Sequence, residues 1–203
     1  MIKKILIIIS IFMLFGCARD INQMSLEEII DTSIKEEANL YNTNNKGYRY
    51  YLPTEFTVKK DADFVQELIS HSTTYYLNVD IVSYYYKNTI KRDRELDDYK
   101  YYSFSSDDKE GYLKIRKNNN NFFVELCYNY AIIEVEVEES ELRYAISRSI
   151  TILKSLKYND LVIENYINSN DLDSSETTYK IPEPKVKNDN KNVLQYIEEY
   201  DQN

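Results

Sequence analysis

The sequence has no tryptophan, one histidine, two cysteines and three glycines among its 203 residues. One histidine and one cysteine beyond residue 17, His71 and Cys127, cannot supply the clustered ligands of a zinc site. Two later glycines, Gly47 and Gly111, form neither a phosphate-binding loop nor a dinucleotide-binding turn. Since no Gly-x-Ser-x-Gly motif is present, His71 has no recognisable serine nucleophile. We therefore expect no catalytic residue, no cofactor and no metal.

Basic residues are also in short supply, because 25 lysines and arginines face 34 aspartates and glutamates. The formal charge is −9, and it becomes −11 when residues 1–16, with two lysines and no acids, are removed. Nucleic-acid binding depends on basic side chains that neutralise phosphates, so we expect no nucleic-acid partner. The same acidity opposes attraction to anionic lipid headgroups.

The N-terminus has the order of features found in export signals. Lys3 and Lys4 precede an apolar run, Ile5–Phe15, that one serine interrupts and that ends at Gly16-Cys17. A basic start, an apolar centre and a small residue before the cleavage point are typical of a signal peptide. The run is too short for a membrane span, which needs about 20 apolar residues.

The terminal Cys17 of this segment resembles the lipobox of bacterial lipoproteins, in which the thiol carries a diacylglycerol. The resemblance implies a signal peptide over residues 1–16 and a mature chain anchored through Cys17 to the outer face of the cell membrane. Residues 17–24 would form the tether, which reaches at most about 25 Å when extended. We therefore expect the folded part to lie close to the bilayer.

Residues 25–168 read as one α+β domain. Ser25 and Glu28 form a capping box for a first helix that extends to Tyr41, and Glu139–Leu156 has helical spacing again. Alternating segments between them predict an antiparallel sheet of about five to seven strands, packed by the N- and C-terminal helices. Residues 169–203 are acidic and polar, and we expect this tail to be disordered.

Several local predictions are more specific. Asp61 is expected to cap a short helix with Phe64 and Leu68 on its apolar face. A strand is expected from Thr74 onwards, and the four asparagines 118–121 are expected to form a hairpin loop. For residues 161–167 the pattern leaves a strand and a helical turn open.

Two stretches resemble PsbP-like domains: Gly47–Val58 (GYRYYLPTEFTV), with its glycine-aromatic, proline and aromatic-valine order, and Ile152–Lys157 (ILKSLK), at the end of a helix. The resemblance implies an antiparallel sheet between helices. It also implies a non-enzymatic accessory subunit of a larger assembly, and it transfers no functional residue.

Tyrosine is the compositional excess, with 21 residues. Tyr76, Tyr84 and Tyr86 would share one face of the expected strand, and tyrosine suits recognition surfaces because it has an apolar ring and a polar tip. They are the candidate binding surface. The alternative is that tyrosine supplies core bulk, as helices on both sheet faces would require.

These observations favour a non-catalytic lipoprotein that docks onto another envelope protein. A second hypothesis is a lipoprotein that captures a ligand or glycan on its tyrosine face. An enzyme using His71 beside a carboxylate and a serine ranks third. Oligomeric state cannot be read from the sequence.

Overall fold

The structure is a computed structural model that describes residues 20–38, 40–89, 92–106 and 108–169. The predicted signal peptide, the predicted lipidation site Cys17 and all but the first residue of the predicted tail lie outside the described residues. The helices are α1 (Leu26–Lys35), α2 (Ile81–Tyr86), α3 (Leu142–Ser155) and α4 (Asp160–Asn168). The strands are β1 (Thr43–Asn45), β2 (Tyr48–Tyr50), β3 (Phe56–Ala62), β4 (Val65–Ser70), β5 (Thr73–Val79), β6 (Asp98–Ser106), β7 (Lys109–Asn118), β8 (Asn121–Tyr128), β9 (Ala131–Glu138) and β10 (Lys157–Tyr158).

The main sheet has seven strands in the order β3-β4-β5-β9-β8-β7-β6, and every neighbouring pair is antiparallel. A separate three-stranded sheet has the order β1-β2-β10. The predicted α+β class and antiparallel sheet are therefore confirmed. No helix in the described part of the chain is long and apolar enough to cross a membrane.

Helices α1 and α3 pack on each other and on one face of the main sheet, which we name the core face. Helix α3 contacts β8 and β9, and α1 contacts β6. Their apolar side chains, such as Ile30 and Ile146, join the strand residues Leu126 and Ile133 in one buried cluster. The resemblance implied a sheet between helices, but α1 and α3 lie on the same face.

The first helix begins as predicted and ends early. Ser25 Oγ accepts from the Glu28 backbone N–H at 3.2 Å, and the Glu28 carboxylate accepts from the Ser25 N–H at 2.8 Å. The helix stops at Lys35 rather than near Tyr41. Acidic residues at positions 36 and 37 oppose the negative end of the helix dipole, which favours termination there.

Three other local predictions are wrong. The segment expected to be a helix after Asp61 is β4, whose Gln66 is buried and accepts a hydrogen bond from Tyr50 Oη at 2.8 Å. The strand from Thr74 ends at Val79, since Asp80 caps α2 by accepting from the Ser83 N–H at 2.8 Å. The asparagine loop is two residues long, because Asn118 pairs with Asn121.

Residues 161–167, for which the sequence pattern does not distinguish a strand from a helical turn, belong to α4.

Candidate functional site

The three tyrosines of the predicted binding surface are divided between two elements. Tyr76 lies on β5 and is half-buried, whereas Tyr84 and Tyr86 lie on α2. Two residues along a helix turn the side chain by about 200°, so Tyr84 and Tyr86 do not share a face. The premise that all three point the same way from a strand is therefore wrong.

Tyr84 joins α2 to α4. Its ring stacks on Tyr158 with centroids 3.9 Å apart, and its hydroxyl donates to Asp160 Oδ1 at 2.6 Å. Burial and the Asp160 hydrogen bond raise the pKa of Tyr84 to about 12. Tyr86, in contrast, is 60% exposed. Tyr84 therefore packs α2 on α4, and only Tyr86 presents most of its ring to solvent.

His71 and Cys127, the single histidine and the single cysteine beyond residue 17, lie in different environments. His71 is exposed, has φ of 54° in the turn between β4 and β5, and lies 3.2 Å from Ser70 Oγ through Nδ1. Cys127 is a free thiol in β8 and is only 1% exposed. Burial raises the pKa of its thiol to about 12, so the nucleophilic thiolate is disfavoured.

No group of three or more histidine, cysteine, aspartate or glutamate side chains in the described part of the chain is arranged to hold a metal ion.

We name the face of the main sheet opposite the core face the outer face. It carries a row of polar and charged side chains, some of which are buried. The strand register places Glu134, Glu125, Lys114 and Tyr101 in one row across β9, β8, β7 and β6. Lys114 and Glu125 are each only 2% exposed although α1 and α3 are on the other face. Segment 92–97, which leads into β6, contributes the side chains that pair with them.

The ion pairs between segment 92–97 and the charged residues of the outer face form one ionic network. One half of this network centres on Glu125. Tyr112 donates its hydroxyl to Glu125 Oε1 at 2.6 Å, and Arg92 Nη1 lies 3.3 Å from the same oxygen. Burial and the Glu125 hydrogen bond raise the pKa of Tyr112 far above its usual range. The Tyr112 hydroxyl therefore remains a proton donor to the carboxylate.

The other half centres on Lys114. Its Nζ lies 2.6 Å from Glu95 Oε1 and 3.5 Å from Asp98 Oδ1, and the Asp98 side chain is fully buried. The hydrogen bond from Lys114 lowers the pKa of Glu95. Since Arg92 and Glu95 both belong to segment 92–97, the two halves hold this segment against the outer face.

Glu134, at the β9 end of the row, has a carboxyl oxygen without a hydrogen bond. Its Oε2 atom is buried and has no hydrogen-bond partner among the described residues. Burial, and then the neighbouring charge of Glu125, raise the pKa of Glu134 from 4.5 to about 7. The carboxyl group therefore titrates near neutral pH.

A cleft of about 330 Å³ opens on the outer face between segment 92–97 and β6. Side chains from β6 line one side of it, namely Tyr101, Ser103 and Ser105. Arg92 and Tyr112 line it where it borders the ionic network. Two further clefts, of about 240 and 470 Å³, lie around Tyr130 and around Tyr158.

Strand β6 is an edge of the main sheet, and two large apolar side chains are exposed beside its beginning. Leu96 is fully exposed, with a relative accessibility of 109%, and Tyr99 is 58% exposed. Neither side chain lines the cleft, and Tyr99 packs edge-on against the core residue Phe122 with ring centroids 5.3 Å apart. Exposed apolar and aromatic side chains beside an open strand edge are typical of protein-binding surfaces. The β6 edge, the cleft, Leu96 and Tyr99 form the candidate site, which we name the β6 site.

The sequence predicted only part of the β6 site. Residues 92–98 (RDRELDD) have the composition of a charged loop and residues 99–104 (YKYYSF) that of a strand, but neither pattern indicates a function. Lys114 and Glu125 stand in strands with apolar neighbours, and charged side chains at positions that pair across such strands are the signal that could have revealed the network.

No protein-family model matches the chain, and no curated protein matches it at a significant level. Functional inference therefore rests on the geometry of the β6 site.

Proposed function

We propose that this protein is a non-catalytic lipoprotein domain that binds another envelope protein close to the outer face of the cell membrane. Lipid on Cys17 is its anchor in this proposal, because basic residues, an apolar run and a small residue precede that cysteine in the order of an export signal. The tether is short, since α1 already begins at Leu26.

The β6 site is the observation that carries the binding proposal. An edge strand presents backbone groups that another chain can use, and Leu96 and Tyr99 add apolar area beside it. The ionic network under segment 92–97 stabilises the shape of the site before any partner arrives. A preformed site loses less conformational entropy on binding.

A ligand-binding lipoprotein is the second candidate. The cleft around Tyr158 favours it, because a volume of about 470 Å³ falls in the range of small-molecule sites. Its lining includes Arg49 and Lys157, which pair across β2 and β10, so an anionic or polar ligand would suit it better than an apolar one.

The two candidates are separated by cross-linking the protein in the cells that produce it and identifying adducts by mass spectrometry. The interaction proposal predicts one recurrent protein adduct that a Cys17→Ala variant, which lacks the anchor thiol, forms much less. The same samples test lipidation, because wild type should be membrane-bound with added acyl mass and Cys17→Ala should not. Wild type without a recurrent protein adduct would contradict the interaction proposal and favour ligand capture.

A further inference from the structure

Because β6 is an edge strand, some of its backbone N–H and C=O groups lie in the plane of the sheet and point away from β7. Asn118 and Asn121 close the two-residue turn between β7 and β8, and a closing pair of this kind is hydrogen-bonded. Bonded and non-bonded pairs alternate along an antiparallel ladder, so Tyr112 and Lys114 bond to β8. The residues between them on β7 therefore bond to β6.

The same alternation determines the orientation of β6. Tyr102 pairs with Leu113, and Phe104 pairs with Gly111, so both residues form backbone hydrogen bonds to β7. The backbone N–H and C=O groups of the alternate residues, Tyr101, Ser103 and Ser105, therefore point outwards from the sheet edge. In the described part of the chain none of these six groups has a hydrogen-bond partner. The ladder from Lys100 to Ser106 has no register shift, so the row is regular.

The side chains of the same three residues line the cleft of about 330 Å³. A strand added along β6 would place alternate side chains on the outer face, next to this cleft. Backbone hydrogen bonds and a side-chain cleft on one edge are the two requirements of strand addition.

The charge of this edge indicates the chemistry of the added strand. Three nearby cations already pair within the chain: Lys100 with Glu27, Arg92 with Glu125, and Lys114 with Glu95 and Asp98. Of the other charged residues beside the strand, Asp93, Asp97 and Asp108 are acidic and Arg94 is basic. Pairing two copies of this acidic chain, with a formal charge of −9 that becomes −11 without residues 1–16, would bring two such edges together, which like charge disfavours.

We propose that the partner binds by adding one extended segment of net positive charge to β6, with its backbone bonded to Tyr101, Ser103 and Ser105. This inference rests on the proposed function, and it specifies the edge, the binding mode and the charge of the partner segment.

The test uses Ser103→Pro in the full-length lipidated chain, with Ser103→Ala as the matched control. Proline removes an outward N–H without breaking a bond to β7, and the extended backbone of an edge strand tolerates it. Both variants and the otherwise wild-type chain carry a photo-cross-linking amino acid in place of Tyr99, and adducts are quantified in intact cells. Thermal unfolding of each purified variant confirms that it folds.

We expect Ser103→Pro to reduce the adduct by about tenfold or more, because it removes an inter-chain hydrogen bond and obstructs the added backbone. Ser103→Ala should keep the wild-type yield. The cross-linked peptide, identified by mass spectrometry, should come from another protein and carry net positive charge.

Failure of this inference is distinguishable from failure of the proposed function. Equal adduct yields in wild type and a folded Ser103→Pro variant would overturn strand addition while leaving an interaction partner in place. A peptide of this same chain, or one of net negative charge, would overturn the proposed partner chemistry. No protein adduct in wild type, by photo-cross-linking or by chemical cross-linking, would overturn both proposals.

Discussion

The two edges of the main sheet differ in how they are protected against pairing with another chain. Strand β3 has a register shift between Val58 and Lys60, and exposed lysines at positions 59 and 60. Bulges and lysines are common protections of an edge strand. Strand β6 also has a register shift, but at its beginning, between Asp98 and Lys100. From Lys100 to Ser106 it is regular, and beyond Lys100 it has only serine, tyrosine and phenylalanine.

The support beneath the edges differs as well. Beside β3, Lys60 pairs with Glu67 at 2.7 Å, but the lysine side chain is 69% exposed. Near β6, Lys114 and Asp98 are almost completely buried. The unprotected edge is thus the one that rests on a buried ionic network, which is the arrangement expected of a preformed binding edge.

The largest effect should come from removing the central cation near β6. In Lys114→Ala the buried Asp98 carboxylate loses its ion-pair partner, which typically costs about 3 to 5 kcal/mol of unfolding free energy. Chemical denaturation measures this loss of unfolding free energy. The control on the other edge, Lys60→Ala, should leave the midpoint unchanged, because surface pairs contribute little. Equal destabilisation by the two variants would contradict the claim that buried ion pairs near β6 contribute more to stability than the exposed ion pair on β3.

A smaller loss is expected at the strand next to β6. A Cβ atom on Gly111 would lie 2.7 Å from the Phe104 ring and 2.6 Å from the Cys127 backbone oxygen. Gly111→Ala should therefore destabilise the fold by about 1 to 3 kcal/mol through overpacking. Thermal unfolding checks this against Thr57→Ala on the exposed β3 edge, which should change stability by less than about 0.5 kcal/mol. A Gly111→Ala variant as stable as wild type would contradict this packing.

The network near β6 should also make stability depend on pH. The pKa of Glu134 rises from 4.5 to about 7 on folding, so the folded state binds more protons between these values. The contribution of Glu134 to stability is therefore fully present below its unfolded pKa of 4.5 and is lost as pH rises through about 7. Glu134→Gln should gain about 1 to 2 kcal/mol over wild type at pH 8, after allowance for solvent screening, and lose this advantage near pH 4.

Urea titrations at the two pH values measure this difference. The control is the exposed Glu138 on the same strand, since Glu138→Gln, a surface substitution, should change stability by less than about 0.5 kcal/mol at either pH. A gain for Glu134→Gln at pH 4 that equals the gain at pH 8 would contradict the assignment.

The smallest effect should follow from removing the protection of β3. A Lys59→Ser, Lys60→Ser double variant should unfold like wild type but show weak, concentration-dependent self-association, because the charged edge no longer opposes pairing. Sedimentation velocity over a range of concentrations detects it. A monomer at all concentrations would mean that the register shift alone protects β3.

Sequence patterns predicted the α+β class, the first helix cap and the strands β6 to β9, because their signals are local. They failed at β4, where Val65 and Leu68 fit a helix as well as a strand and where burial of Gln66 against Tyr50 decides the outcome. They failed at α2 because consecutive tyrosines favour a strand, while the Asp80 cap favours a helix.

The candidate site was less predictable than the fold. The β6 site depends on which strand lies at the edge of the sheet, and strand order comes from non-local pairing. The network depends on Arg92 reaching Glu125, which is 33 residues away in the chain. Composition showed an excess of tyrosine but could not show that Tyr84 packs helices while Tyr99 remains exposed.

Residue-resolved amide hydrogen exchange of the free protein tests the open β6 edge most directly. The account predicts fast exchange at Tyr101, Ser103 and Ser105 and slow exchange at Tyr102 and Phe104, since only the latter two donate to β7. Uniform protection of all five amides would mean that another part of the chain covers this edge, and it would contradict the β6 site as an open surface.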